Sequence, residues 1–285
     1  MSVQKVILLH GPINSVGINP VTQYIYQDPF TRVQVGEAFS CTQNIIALSL
    51  SFRALGFKVC YSGWSDDAEW LEKNRGLFDY LVVSDQTNLK SKSVRGEFVF
   101  PNNKEKLYYS VYQGLCEIEK NFSDEEVVVF RLRSDISVNP RLAEPEVTKV
   151  IHNSKIVVIE CLYESAMLTF PDFMMVADLH VMKEIYESMY RRSASGNAYH
   201  LSSHIDHSLT CIEMQQKGLV QVIQCMGKDI YDSVVWRGVP RYFEYMFEEF
   251  SKHPMFDCVL NVPSNFNISQ VVAAIPETLS GKDSR

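Results

Sequence analysis

Val127-Val128-Val129-Phe130-Arg131-Leu132-Arg133-Ser134-Asp135 is the stretch from which the fold is read. It opens with four apolar residues, three of them β-branched, and shows no helical period. Such a run reads as a strand buried on both faces of a parallel sheet. It closes on two arginines and a carboxylate. Side chains alternate along a strand, so Arg131, Arg133 and Asp135 are expected on one face. Guanidiniums at the end of a buried strand are costly unless paired or bound to a ligand. The planar fork of arginine matches phosphate oxygens, and Asp135 suits a metal, a sugar hydroxyl or one of the arginines. A structural ion-pair cluster competes with a phosphate-and-sugar site.

Shorter runs flank this strand on both sides. Residues 5–9 form a first strand that stops at His10-Gly11-Pro12. A loop follows to about residue 29. Ser40, with Gln43 three residues on, resembles a capping box for a helix ending at Gly56. Residues 57–61 form a second strand. Ser65, Asp66 and Asp67 open a helix that ends near Gly76, and residues 80–83 form a third strand ending at Ser84-Asp85. Residues 86–102 are polar and basic without a period and read as a surface loop. Helix is expected over 104–120, 142–152, 178–192, 199–217 and 241–252, and strand over 155–161, 172–176 and 220–225.

Strands alternating with longer helices indicate βαβ units and a mainly parallel sheet. The fold expected is a single α/β, Rossmann-like domain over residues 1–262, with helices flanking the sheet and C-terminal helical additions. A partly disordered tail is expected over 263–285. The chain has 285 residues, 46% hydrophobic and 21% charged, within the ordinary globular range. Its net charge of -7 argues against a nucleic-acid partner. No apolar run approaches the ~20 residues needed to span a bilayer, and no secretory leader is read at the start. The seven cysteines form no C-x-x-C pair and read as reduced, buried thiols of a cytoplasmic protein.

Ligands of open α/β sheets sit beyond the carboxyl ends of the strands. That rule selects His10-Gly11, Ser62-Gly63-Trp64, Ser84-Asp85 and the Arg131–Asp135 stretch. Two carboxylates downstream are further candidates. Asp172, between Pro171 and Phe173, suits a substrate hydroxyl or a base, and Asp178 reads as a helix N-cap. His200, His204 and His207 share a helical face that suits a metal-dependent hydrolase, or a single His204 or Asp206 facing the cleft. The tyrosines of residues 107–112 read mainly as core. No P-loop, G-x-G-x-x-G or G-x-S-x-G is present.

The order of these motifs resembles the WavE-type proteins of bacterial lipopolysaccharide synthesis, and more loosely the GT-A-like glycosyltransferases of surface polysaccharides. The resemblance runs over about residues 5–215. It rests on His10-Gly11-Pro12-Ile13, Ser62-Gly63-Trp64, Ser84-Asp85, Tyr112-Gln113-Gly114-Leu115, Arg131-Leu132-Arg133-Ser134-Asp135 and Pro171-Asp172-Phe173. The chain departs from the pattern at Ala177, where glycine is common. It also lacks a D-x-D, of which only Asp135 is present.

The resemblance implies a glycosyltransferase that uses a nucleotide-sugar donor and a glycan or lipid-linked glycan acceptor. It would work in the cytoplasm, peripherally at the inner face of the membrane. His10, Gly11, Ser62, Trp64, Ser84, Asp85, Arg131, Arg133 and Asp135 would bind the donor. Asp135 would also hold a Mg2+ or Mn2+ ion, and Asp172 would be the base. Asp178, His204, Asp206 and Glu213 would face the acceptor or the cleft. The competing reading is a non-catalytic α/β protein that binds a sugar or a partner.

Overall fold

A computed structural model describes residues 3–16, 38–89, 92–95, 98–101, 103–123, 125–159, 173–197, 203–236 and 239–240. The first apolar run lies in β1 (Gln4–His10). Two short strands, β2 (Asn14–Val16) and β3 (Ala38–Ser40), pair antiparallel. Helix α1 (Thr42–Ala54) follows without the expected capping box: its N-cap is Cys41, which makes no side-chain cap. Ser40 is held in β3, and its hydroxyl meets that of Thr42 at 3.0 Å. Strand pairing has taken the residue that would have capped. Gly56 ends the helical stretch with φ 79°, a left-handed backbone that glycine adopts without strain.

Strand β4 (Lys58–Trp64), helix α2 (Ala68–Lys73) and strand β5 (Tyr80–Ser84) come next. The segment expected as loop over 86–102 holds a hairpin, β6 (Lys92–Arg95) and β7 (Phe98–Pro101), with Val94 opposite Val99. The apolar residues Val94, Phe98, Val99 and Phe100 outweigh the polar composition around them. Helix α3 (Lys104–Asn121) leads into β8 (Val127–Arg133) and the two-residue β9 (Ile136–Ser137). Asn139 caps α4 (Pro140–His152) by accepting from the Arg141 N–H, and Pro140 takes the first turn, where no donor is lost. Strands β10 (Ile156–Ile159) and β11 (Met174–Asp178) precede α5 (Leu179–Ser195) and α6 (Ser203–Gln216). The described chain closes with β12 (Val222–Cys225), α7 (Lys228–Asp232), β13 (Val235–Trp236) and β14 (Val239–Pro240). The helix expected over 241–252 and the tail from 263 lie outside the described residues.

The central sheet has seven strands in the order β12-β10-β11-β8-β1-β4-β5. Neighbours pair parallel except β11, which runs antiparallel to both β8 and β10. The expected α/β fold with a mainly parallel sheet is therefore present. Its two faces carry separate cores. Val128, Phe130 and Leu132 of β8 pack with Ile45, Phe52 and Val147 of α1 and α4. Val127 and Val129 pack on the other face with Leu115, Met182 and Ile185 of α3 and α5. Burial on both sides explains why these strands read as unbroken apolar runs.

Cys41, Cys60, Cys116 and Cys211 are free, whereas Cys225 is disulfide-bonded, so the expectation of reduced thiols does not hold there. Among the described residues no helix is long and apolar enough to cross a membrane.

Candidate functional site

The order of the sheet locates the crevice. From β1 the chain moves outward through β4 to β5, then returns to the opposite side of β1 with β8. Loops leaving β1 and β8 therefore part in opposite directions, and the gap at their carboxyl ends is where doubly wound sheets take ligands. His10 pairs with Arg133 at that point, and Ser62 of β4 lies beside His10.

The floor of the gap is tightly stitched. Ser134 N–H donates to His10 O at 2.8 Å, and Gly11 N–H donates to Ser62 O at 3.1 Å. Ser134 Oγ donates to Pro12 O at 2.9 Å, and Tyr61 OH to Gly11 O at 2.8 Å. Asn44 of α1 gives both amide hydrogens away, to Ser134 O at 2.8 Å and Ile136 O at 2.7 Å. Gly11 takes φ 115°, and a Cβ there would stand 2.9 Å from Ser134 Oγ, so only glycine fits without strain. These bonds fix the turn that follows β8.

That turn changes the geometry expected of the arginines. Strand β8 ends at Arg133, and Asp135 sits in the turn, so alternation no longer governs it. Arg133 and Asp135 do come together. Arg133 Nε donates to Asp135 Oδ1 at 3.0 Å and Nη2 to Oδ2 at 2.8 Å, a side-on fork. Oδ2 also accepts from Ser15 Oγ at 3.2 Å and from Trp236 Nε1 at 3.1 Å. The Arg133 guanidinium lies 4.8 Å from the centre of the Phe173 ring, and Phe173 stacks on Trp236 at 5.9 Å. The arrangement closes on itself: arginine, carboxylate, indole and phenyl ring each hold the next. The short pairing of β9 with β13, Trp236 opposite Ile136, delivers the indole.

Arg131 lies two residues earlier on the same strand. It is 0% exposed and packs over Tyr186, 5.4 Å from the ring centre, on the α3 and α5 side of the sheet. Tyr186 meets Tyr108 and His207, and Tyr108 OH donates to Asp206 at 3.0 Å. Burial lowers the Lys104 ammonium below its ordinary range, against the pull of nearby Asp206. Asp206 and His207 thus lie in a buried polar cluster with Tyr108 and Tyr186.

The other expected residues divide by position. Ser62 is buried and donates to Ser110 O at 2.7 Å, and Trp64 and Ser84 are buried at the ends of β4 and β5. Asp85 is exposed; its carboxylate accepts from the Thr87 hydroxyl and N–H, which hold it below its ordinary value. Asp178 is at the wrong end of the sheet. Because β11 is antiparallel, Asp178 pairs with Val128 near the start of β8, while Met174 pairs with Leu132 near its end. Asp178 caps α5 there, accepting from His180 N–H at 2.9 Å. Glu213 bridges Arg192 at 2.8 Å and Lys217 at 2.5 Å, tying α6 to α5. Asp172, His200 and the side chain of His204 lie outside the described residues.

A divalent cation finds no fit among the described residues. Among those residues no group of three His, Cys, Asp or Glu side chains stands close enough to hold one. The Asp135 carboxylate is committed to four donors on three side chains. Sequence reading did not find Ser15, Asn44, Tyr61, Phe173 or Trp236 as partners in this arrangement.

No family model and no curated protein matches the chain. Among solved structures it is similar to 4-diphosphocytidyl-2C-methyl-D-erythritol synthase from Anaerococcus prevotii, at 10% identity and TM-score 0.43, over 88% of this chain and 97% of that one. It is similar to a glycosyltransferase involved in glycosylation of the major capsid of PBCV-1, at 12% identity and TM-score 0.41, over 85% of this chain and 98% of that one. It is also similar to a nucleoside-diphosphate-sugar pyrophosphorylase from Vibrio cholerae, at 14% identity and TM-score 0.40, over 85% and 99%.

Proposed function

We propose that the protein is a glycosyltransferase that takes a sugar from a nucleotide-sugar donor. One observation carries this reading: the switch point of the sheet coincides with the Arg133 cluster. Arg133 is the less buried of the two arginines, its side chain 23% exposed, and it stands at the carboxyl end of β8 beside β1. A guanidinium so placed meets the diphosphate of a nucleotide that lies over β1, β4 and β5.

In the transfer, the acceptor hydroxyl oxygen bonds to the anomeric carbon of the donor. The bond from that carbon to the diphosphate oxygen breaks, and its electron pair leaves on the diphosphate. Negative charge grows there, and a preorganised cation lowers the barrier. The hydroxyl proton passes to a carboxylate base, which we assign to Asp172. Its neighbour Phe173 already contacts Arg133. The acceptor we assign is a bacterial surface glycan or its lipid-linked precursor, met at the inner face of the cytoplasmic membrane.

The test is an assay of nucleoside diphosphate release across a panel of nucleotide sugars, with the Asp172→Asn variant alongside. The expected result is release from one donor class. Asp172→Asn should transfer about a hundredfold more slowly with donor affinity unchanged, since amidation removes basicity and little volume. Equal loss of affinity and rate would move Asp172 out of the base role. Donor binding without release would make the protein a sugar-nucleotide binder.

A further inference from the structure

We propose that Asp135 is a positioning residue for Arg133 and not a ligand to donor or metal; the inference rests on the nucleotide-sugar reading of the crevice. The carboxylate is 3% exposed. A carboxylate offers about four acceptor sites. Here Nε of Arg133 takes Oδ1, and Nη2 of Arg133, Ser15 Oγ and Trp236 Nε1 converge on Oδ2. A cation at Oδ2 would have to displace one of three donors, and at Oδ1 it would stand beside the Arg133 guanidinium, which repels it.

The fork does something more specific than neutralise charge. Side-on pairing through Nε and Nη2 fixes the rotation of the guanidinium plane. The Phe173 ring at 4.8 Å fixes its tilt, and Trp236, stacked on Phe173, holds Asp135 in turn. Arg133 is a long side chain that is costly to order on binding, and here it is ordered in advance by Asp135, by Phe173 just before β11, and by Ser15 of β2 and Trp236 of β13 behind Asp135. Coulomb's law and preorganisation predict opposite outcomes. A carboxylate beside an anion site repels the anion, so its removal on charge alone would tighten binding. If it aims the guanidinium, its removal weakens binding.

Calorimetric titration of the full chain with UDP, GDP and inorganic pyrophosphate, in Mg2+ and in EDTA, decides between them. Asp135→Asn should weaken binding about tenfold or more, equally in both buffers. Trp236→Phe keeps the ring stack and loses only the Nε1 donor, so it should weaken binding in the same direction by less. It carries the same test should Asp135→Asn not fold. On an Arg133→Ala background, Asp135→Asn should add no further loss, because its effect runs through the guanidinium. Unchanged or tighter binding, a loss confined to Mg2+, or an equal loss on the Arg133→Ala background would each overturn the proposal. Wild-type protein that binds none of the three probes would overturn the nucleotide-sugar reading and this proposal with it.

Discussion

Two arginines separated by one residue on the same strand have different surroundings, and their substitutions should read out differently. Arg131 is sealed between the sheet and Tyr186. Arg131→Ala removes packing as well as charge and should lower stability by about 2–4 kcal/mol in urea unfolding. Arg133→Ala leaves the buried Asp135 carboxylate without its charged partner and should also lower stability, by about 2–4 kcal/mol. It should in addition weaken nucleoside diphosphate binding by about a hundredfold, to a level that calorimetry still reads. A stable Arg131→Ala, or an Arg133→Ala that binds normally, would reverse these roles. The Arg133–Asp135 pair was legible in the sequence, since both residues close one apolar run. The turn that carries Asp135 was not, because the strand stops at Arg133 and the Gly11–Ser134 contact re-aims the chain there. Ser15 and Trp236 lie over a hundred residues from Asp135 in sequence, and pairings of two residues leave no period to detect.

Strand β11 shows how far an element can be read. Its apolar run was legible; its direction was not, since Met174 to Ala177 reads the same either way along a buried ladder. Direction decides which carboxylate can matter. Asp178 falls at the amino ends of the parallel strands, where it caps α5. Asp178→Ala should cost about 1 kcal/mol of stability, the usual loss of an N-cap. Transfer rate and donor affinity should stay at wild-type values. A large fall in rate without loss of stability would place Asp178 in the crevice and contradict the antiparallel assignment. The hairpin of β6 and β7 was hidden for another reason. Its four-residue strands sit among Lys, Ser and Arg and are too short to show a period, with Val94 opposite Val99 in the register.

At the scale of the molecule, the alternation of strand and helix fixed the class of fold, because burial on both faces of a parallel sheet forces continuous apolar runs. The strand order is what that alternation cannot show. It emerges from pairing, and it sets the switch point between β1 and β8. The central claim is that a nucleotide sugar binds there. Backbone hydrogen exchange, with and without the nucleotide sugar that releases nucleoside diphosphate, tests this most directly. The account predicts slowed exchange over residues 10–16 and 131–137, with little change around Asp178 and the start of α5. Protection confined to other segments, or none at a saturating concentration of any donor in the panel, would contradict it.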